Sequence, residues 1–126
     1  MPRFDKVEPK GGSFRAPLGF NLVSGDVGAV VGVGLDVNGR VVKGAGQTGV
    51  VAVICPSSLG SIGDPIDCMT DGEIVDVALA AGTTYYINTT TGALETAAPA
   101  AGTNKPKAGH TVQAWRLIVR VSTFQG

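Results

Sequence analysis

The side chains that could carry out chemistry are few in this chain and lie far apart. There is one histidine, His110, and there are two cysteines, Cys55 and Cys68, separated by twelve residues. Any serine or cysteine nucleophile would need His110 as its base, and we expect this histidine to be solvated where a strand begins. A zinc site would need both cysteines, the histidine and a fourth ligand, and no C-x-x-C pair initiates one. We therefore expect buried, reduced thiols and no zinc site.

Five acidic residues in the middle of the chain are the best candidates for a metal site. In a calcium-binding loop starting at Asp67, Met69 would stand where an oxygen ligand belongs and Ala78 where the closing glutamate belongs. Alternating strand positions would also distribute the carboxylates over two faces. We expect turn residues and a solvated acidic face instead. The five residues are Asp64, Asp67, Asp71, Glu73 and Asp76.

Two glycine-containing segments do not form catalytic motifs either. Gly32-Val33-Gly34 lies in an apolar strand pattern that continues into a hairpin, whereas a phosphate-binding loop precedes a helix. The stretch 60–63 lacks the spacing of a nucleophile elbow. These observations predict a protein that is not an enzyme and that uses no metal or cofactor.

The elements that would position any site are short apolar runs separated by turn residues, which predict seven or eight β-strands and no long helix. Asn38-Gly39 is a strong hairpin signal, and Thr91-Gly92 supports a second hairpin. The run 49–55 is continuously apolar, as is typical of a strand buried on both faces. Segments 56–64 and 97–109 are predicted loops. The predicted strands are 29–37, 40–43, 49–55, 65–69, 73–79, 83–88, 93–95 and 111–122.

Composition also favours one small all-β domain, a barrel or a sandwich. Of the 126 residues 44% are hydrophobic, mostly valine and alanine, and there are 19 glycines. No run approaches the ~18 consecutive apolar residues of a membrane span. The first residues lack the apolar stretch of a signal peptide, so we expect a soluble product made in the cytoplasm.

The alternation within the predicted strands also predicts which side chains form the core. Inward positions carry mainly valine, and the last strand contributes a tryptophan and a leucine. The predicted core residues are Val31, Val33, Val51, Val53, Val75, Val77, Trp115, Leu117 and Val119.

Residues 1–20 form an extended N-terminal arm in this interpretation, and residues 21–126 form the β-barrel domain. Prolines and a Gly-Gly pair exclude a helix or a central strand from the arm. Apolar residues nevertheless recur along it, which favours an arm that lies on another protein's surface. The alternative is an edge strand of its own domain. The expected contact residues are Phe4, Val7, Phe14, Arg15 and Leu18.

Charge is unevenly distributed, although its formal sum is zero. The arm carries four basic and two acidic residues, 21–95 two basic and eight acidic, and 96–126 four basic and none acidic. Basic ends around an acidic middle favour self-association or docking on an acidic protein surface. No basic stripe interleaved with aromatic residues suggests nucleic-acid binding. Arg116 and Arg120, on one face of the last strand, are expected to contact a neighbouring subunit or another protein.

Taken in order, several blocks of the chain resemble the capsid cement, or head decoration, proteins of tailed bacteriophages. The resemblance covers most of the chain and depends on the order and spacing of the blocks. They are PKGGSFRAPLGF, GDVGAVVGVGLDVNGRVVKGAGQTGVVAVI, DPIDCMTDGEIVDVALAAGTTYYINTTTGAL and WRLIVRVS.

The resemblance implies a β-barrel or β-tulip-like subunit without enzymatic activity. Proteins of this family bind the outside of an expanded icosahedral shell, usually as trimers, and their N-terminal arm commonly lies along the major capsid protein. The expected partners are therefore the major capsid protein and further copies of this chain in a homotrimer, with no nucleic acid and no membrane. The expected location is the capsid exterior of the virion, after synthesis in the host cytoplasm.

Two alternatives remain open at this point. One is a phage tail or baseplate module, or another small β adaptor, which would fractionate with tails rather than with heads. The other is an enzyme or small-ligand domain that uses the acidic cluster. A divalent metal would raise the melting temperature of such a domain through linkage.

Overall fold

The computed structural model describes residues 12–100 and 104–125, which fold into ten β-strands and one 3₁₀ turn, Ser24–Asp26. All strand pairs are antiparallel, and they form two sheets of five strands each. The all-β prediction is confirmed. The strands are β1 Ser13–Pro17, β2 Val31–Leu35, β3 Val41–Lys43, β4 Ala52–Ile54, β5 Pro65–Met69, β6 Asp71–Val75, β7 Thr84–Ile87, β8 Leu94–Glu95, β9 Asn104–Thr111 and β10 Arg116–Gln125.

The first sheet curls until its two ends meet. Its order is β1-β5-β4-β2-β3, and a bridge between Leu18 and Val41 joins the residue after β1 to β3. The amide of Gly19 also donates to the carbonyl of Val41 at 2.8 Å. Because these contacts connect the two outer strands, the sheet has the closed form of a small barrel.

The second sheet, in the order β6-β10-β9-β7-β8, is built from the later part of the chain. Thr70 is the single residue between β5 in the first sheet and β6 in the second. The link between the predicted strands 65–69 and 73–79 is therefore a crossing between sheets, and the second strand already begins at Asp71. A further bridge, between Val31 and Ala93, joins the sheets at another point.

The core consists of two apolar clusters that share β4. Ala52 and Ile54 face the cluster inside the first sheet, and Val53 faces the cluster between the two sheets. This strand is therefore buried on both faces, as the apolar run 49–55 predicted. Gly32 on the neighbouring strand lies against Ile87 of the second sheet, which leaves no room for a side chain.

Most of the predicted core residues are buried, but two are on the surface. Val75 is 51% exposed and Trp115 is 49% exposed. Val75 ends the edge strand β6, and Trp115 lies in the turn before β10, so neither position has a sheet above it. Val51 is half-buried against the first cluster. The buried predictions are Val31, Val33, Val53, Val77, Leu117 and Val119.

The prediction of a loop over 97–109 was wrong in its second half, where β9 runs from Asn104. Pro106 lies opposite Thr123 of β10 and beyond Lys107, the last residue of β9 that pairs with β7. Among the described strands, β9 therefore pairs only with β10 at this point, and such edge positions are among the few places where a sheet accepts proline. The predicted strand 111–122 spans the last residue of β9, a turn at 112–115 and most of β10.

The predicted boundary between arm and domain at residue 20 also needs correction. Residues 13–17 form β1, the outer strand of the first sheet, paired with β5 from Ser13 opposite Met69 to Pro17 opposite Pro65. Leu18 is 1% exposed in the first core cluster. The alternative of an edge strand therefore holds for this part of the arm, since pairing and burial both stabilise it within its own domain. Residues 1–11 lie outside the described residues.

Candidate interaction surfaces

The contact residues predicted in the arm differ in how accessible they are. Leu18 is fully buried and cannot contact another protein while the domain is folded, so its assignment to a binding arm was wrong. Phe14 is half-buried and packs against the same cluster. Arg15 is exposed, and its Nε donates to Asp67 Oδ1 at 2.9 Å across β1 and β5. Phe4 and Val7 lie outside the described residues.

Arg116 and Arg120 lie on the same face of β10, as predicted, but their surroundings differ. The Nε of Arg116 is 3.4 Å from Glu73 Oε1 on β6, and its guanidinium carbon is 5.9 Å from the centre of the Trp115 ring. The same Nε has no hydrogen-bond partner within the described part of the chain. Arg120 is exposed, opposite Asp71 in the register of β10 and β6. Arg116 is thus held within its own domain, and Arg120 is the more accessible cation.

A groove of about 620 Å³ lies between the two sheets. One wall is formed by β1 and β5, the other by β6, and we refer to it as the inter-sheet groove. Its apolar lining includes Val53 and Met69. Its acidic lining residues are Asp67, Glu73 and Asp76.

The crossing from β5 to β6 lies next to the inter-sheet groove, between the lining residues Met69 and Glu73. There the carbonyl of Gly12 accepts hydrogen bonds from the amides of Thr70 at 2.8 Å and Asp71 at 3.1 Å. Gly12 has φ +88°, and a side chain at this position would collide with the carbonyl of Asp71. Gly12 is therefore held at a fixed position, and the next residue, Ser13, lines the groove.

Exposed apolar side chains form a second surface at the turn between β9 and β10. Trp115 and Val112 lie in this turn, and Val75 is paired with the adjacent Arg116. We refer to these three residues as the hairpin tip. Trp115 was predicted in the core because the alternation of inward and outward residues in the predicted strand 111–122 continues through it. The Gln113-Ala114 pair, which separates two apolar runs, was the available signal for a turn.

A third surface lies where the segment containing the 3₁₀ turn runs beside the loop 56–64. The two segments are joined by hydrogen bonds from Leu22 N to Gly60 O and from Gly28 N to Pro56 O, at 2.9 and 2.8 Å. Their exposed apolar residues form what we call the loop face. They are Val23, Val27, Leu59 and Ile62.

The arrangement of the titratable groups offers little for catalysis. All five acidic candidates are exposed, which confirms the predicted solvated acidic face. No group of three or more His, Cys, Asp or Glu residues is placed to hold a metal ion within residues 12–100 and 104–125. Cys68 is buried, and burial together with the charge of Asp67 raises its pKa to about 11, which disfavours the nucleophilic thiolate.

The histidine and the two cysteines, the other residues considered for catalysis or zinc binding, do not form a common site among the described residues. His110 is exposed on β9, and both cysteines are free thiols, although Cys55 is only half-buried rather than buried. Within the described residues, no helix is both long and apolar enough to cross a membrane.

No protein-family model matches the chain, and no curated protein matches it either. Among solved structures, the chain is similar to a protein from Mycobacterium phage Patience, with a TM-score of 0.79 and 18% sequence identity. The alignment covers 98% of this chain and 97% of the phage chain. The two proteins thus share a fold over essentially their whole lengths.

Proposed function

We propose that this chain is a non-enzymatic structural protein that binds the outer surface of a bacteriophage capsid and stabilises the expanded shell by linking capsomers. The observation that carries this proposal is the full-length fold match to a protein from Mycobacterium phage Patience. The ordered sequence blocks that resemble capsid cement proteins support the same function independently. In this proposal the partners are the major capsid protein and two further copies of this chain, which form a homotrimer.

The exposed surfaces support docking on a large protein assembly. Trp115 at the hairpin tip is half exposed beside Arg116, and tryptophan and arginine are enriched among the residues that contribute most to protein interfaces. Phe4 and Val7 would supply further apolar anchors. Several weak contacts joined in one oligomer raise the effective concentration, and avidity can then exceed a single contact by ~10²–10⁴.

Self-association is the second part of the proposal. Arg120 is accessible on β10, and an acidic face is exposed on the same molecule. Opposite charges on two faces of one chain favour contacts between its copies. In this arrangement Arg120 contacts an acidic group of a neighbouring copy or of the shell.

Co-sedimentation with DNA-free heads from the phage that encodes the chain tests the function. The wild-type protein should bind saturably, and Phe4→Ala/Val7→Ala should dissociate faster, because changes at an interface act mainly on the dissociation rate. Val37→Ala removes a similar apolar group from an exposed position at the β2–β3 hairpin and serves as the control. Recovery with tails and not with heads would instead identify a tail or baseplate module.

A further inference from the structure

We propose that, in the free protein, the inter-sheet groove binds residues 1–11 of the same chain. Residues 1–11 are attached to the domain next to the groove. Gly12 is anchored by hydrogen bonds from the amides of Thr70 and Asp71, and the following residue, Ser13, is part of the groove lining.

Residues 1–11 are long enough to extend along the inter-sheet groove. Eleven extended residues span up to ~36 Å, whereas the five residues of β6 that form one wall extend over only ~17 Å. The segment can thus follow the whole groove without strain. A short covalent connection also gives an effective concentration on the order of millimolar, which favours a chain's own groove over that of a second copy in dilute solution.

Residues 1–11 and the inter-sheet groove are also chemically complementary. The segment carries Phe4 and Val7 together with three basic and two acidic side chains. The groove offers accessible apolar surface at Met69, Ile74 and Val75, bordered by three carboxylates. Apolar anchors surrounded by opposite charges are the usual composition of a specific protein contact.

The charges that face the groove are not all equally available. Asp67 is paired with Arg15, and Glu73 is 3.4 Å from the Nε of Arg116. Asp76 forms no ion pair with another described residue, so it is the first candidate to receive an arginine or lysine of the segment. It directly follows β6, which among the described strands pairs only with β10. The unpaired backbone of this edge is available to an extended segment.

Limited proteolysis of the full chain tests this assignment. Trypsin cleaves after Arg3, Lys6 and Lys10, and mass spectrometry follows the loss of the segment. Glu73→Gln/Asp76→Asn removes two groove charges, and Asn tolerates the positive φ of Asp76, which is +61°. If the segment is docked about 90% of the time in the wild type, its release should speed cleavage about tenfold.

The control is Asp64→Asn/Glu95→Gln, which changes the net charge equally at two carboxylates that do not line the groove. It should leave the cleavage rate unchanged. In the full chain, Phe4→Ala/Val7→Ala should move the amide resonances of groove residues such as Met69 and Ile74. Equal cleavage rates in all three proteins, or no resonance change at the groove, would overturn the proposal.

The dependence of tryptic cleavage on protein concentration shows whether the groove holds residues 1–11 of its own chain or those of a second copy. Docking within one chain predicts protection that is independent of concentration. Protection that grows with concentration would assign the groove to the segment of a second copy and would also overturn the proposal. No heads are used in these measurements, so their outcome is independent of whether the protein decorates a capsid.

Discussion

The carboxylate of Asp26 is an example of a buried charge that is stabilised by its neighbours. Its Oδ1 accepts a hydrogen bond from Lys43 Nζ at 2.7 Å, and its Oδ2 accepts one from the amide of Val23 at 2.9 Å. Burial by itself would raise the pKa of Asp26, but the Lys43 ammonium and the Val23 amide outweigh burial and lower it. The Lys43 ammonium lies 5.4 Å from the centre of the Phe20 ring. These contacts join the 3₁₀ turn to β3.

This arrangement predicts a dependence of stability on pH. The folded pKa of Asp26 lies below the unfolded value of ~3.9, so the contribution is complete above that value and disappears as pH falls through the folded pKa. Asp26→Asn should therefore lower the free energy of unfolding by about 1–3 kcal/mol near neutral pH. Urea unfolding at several pH values should show this difference shrinking below pH ~4. A difference that stays constant down to pH 2 would contradict the assignment.

Leu117 tests the inward register of β10. It is fully buried in the cluster between the sheets, and Leu117→Ala should lower the free energy of unfolding by about 2–5 kcal/mol. Val75→Ala, at an exposed position of the neighbouring strand, should cost less than about 0.5 kcal/mol. Chemical denaturation measures both. Similar costs for the two variants would show that the register is wrong.

At the scale of elements, the contact between the sheets depends on Gly32. A methyl group at this position would overlap the side chain of Ile87, and overpacking of this kind costs about 1–3 kcal/mol. Gly25 in the 3₁₀ turn has open space around it, so Gly25→Ala is the matched control. Thermal unfolding should show a clearly lower midpoint for Gly32→Ala than for Gly25→Ala. Equal midpoints would mean that the sheets do not approach each other closely at β2.

Local sequence signals predicted the elements whose structure is determined locally. The Asn38-Gly39 turn needs a positive φ, which Gly39 adopts at +76°, and the hairpin of β2 and β3 forms around it. The strand 65–69 was also predicted with its observed bounds. In contrast, β9 could not be inferred from its proline-containing sequence, because its pairing with β7 and β10 comes from distant segments. Partners distant in the chain likewise decide that 13–17 is an edge strand.

The interaction surfaces were only partly predictable for a related physical reason. Arg116 and Arg120 were correctly placed on one face because alternation is a local property of a strand. That Glu73 engages Arg116 follows from the register of β6 against β10, which no local pattern encodes. The inter-sheet groove was not predicted at all, since its lining comes from strands of both sheets whose packing no local pattern encodes.

At the scale of the whole molecule, the two-sheet domain carries an N-terminal segment that has two proposed partners. In the free protein this segment would lie in the inter-sheet groove, and on the capsid it would contact the shell. The two sites then compete for the same residues. Glu73→Gln/Asp76→Asn should consequently bind heads at least as tightly as the wild type does, as measured by co-sedimentation. Weaker head binding by this variant, with the Asp64→Asn/Glu95→Gln control unaffected, would contradict the competition.

Cryo-electron microscopy of heads saturated with the purified protein tests the central claim most directly. We expect added density on the outer surface of the expanded shell. The two-sheet domain should fit this density, and the density should bridge neighbouring capsomers. We expect this density at threefold and quasi-threefold positions. Heads without added density, or density confined to the tail, would contradict a capsid-stabilising role.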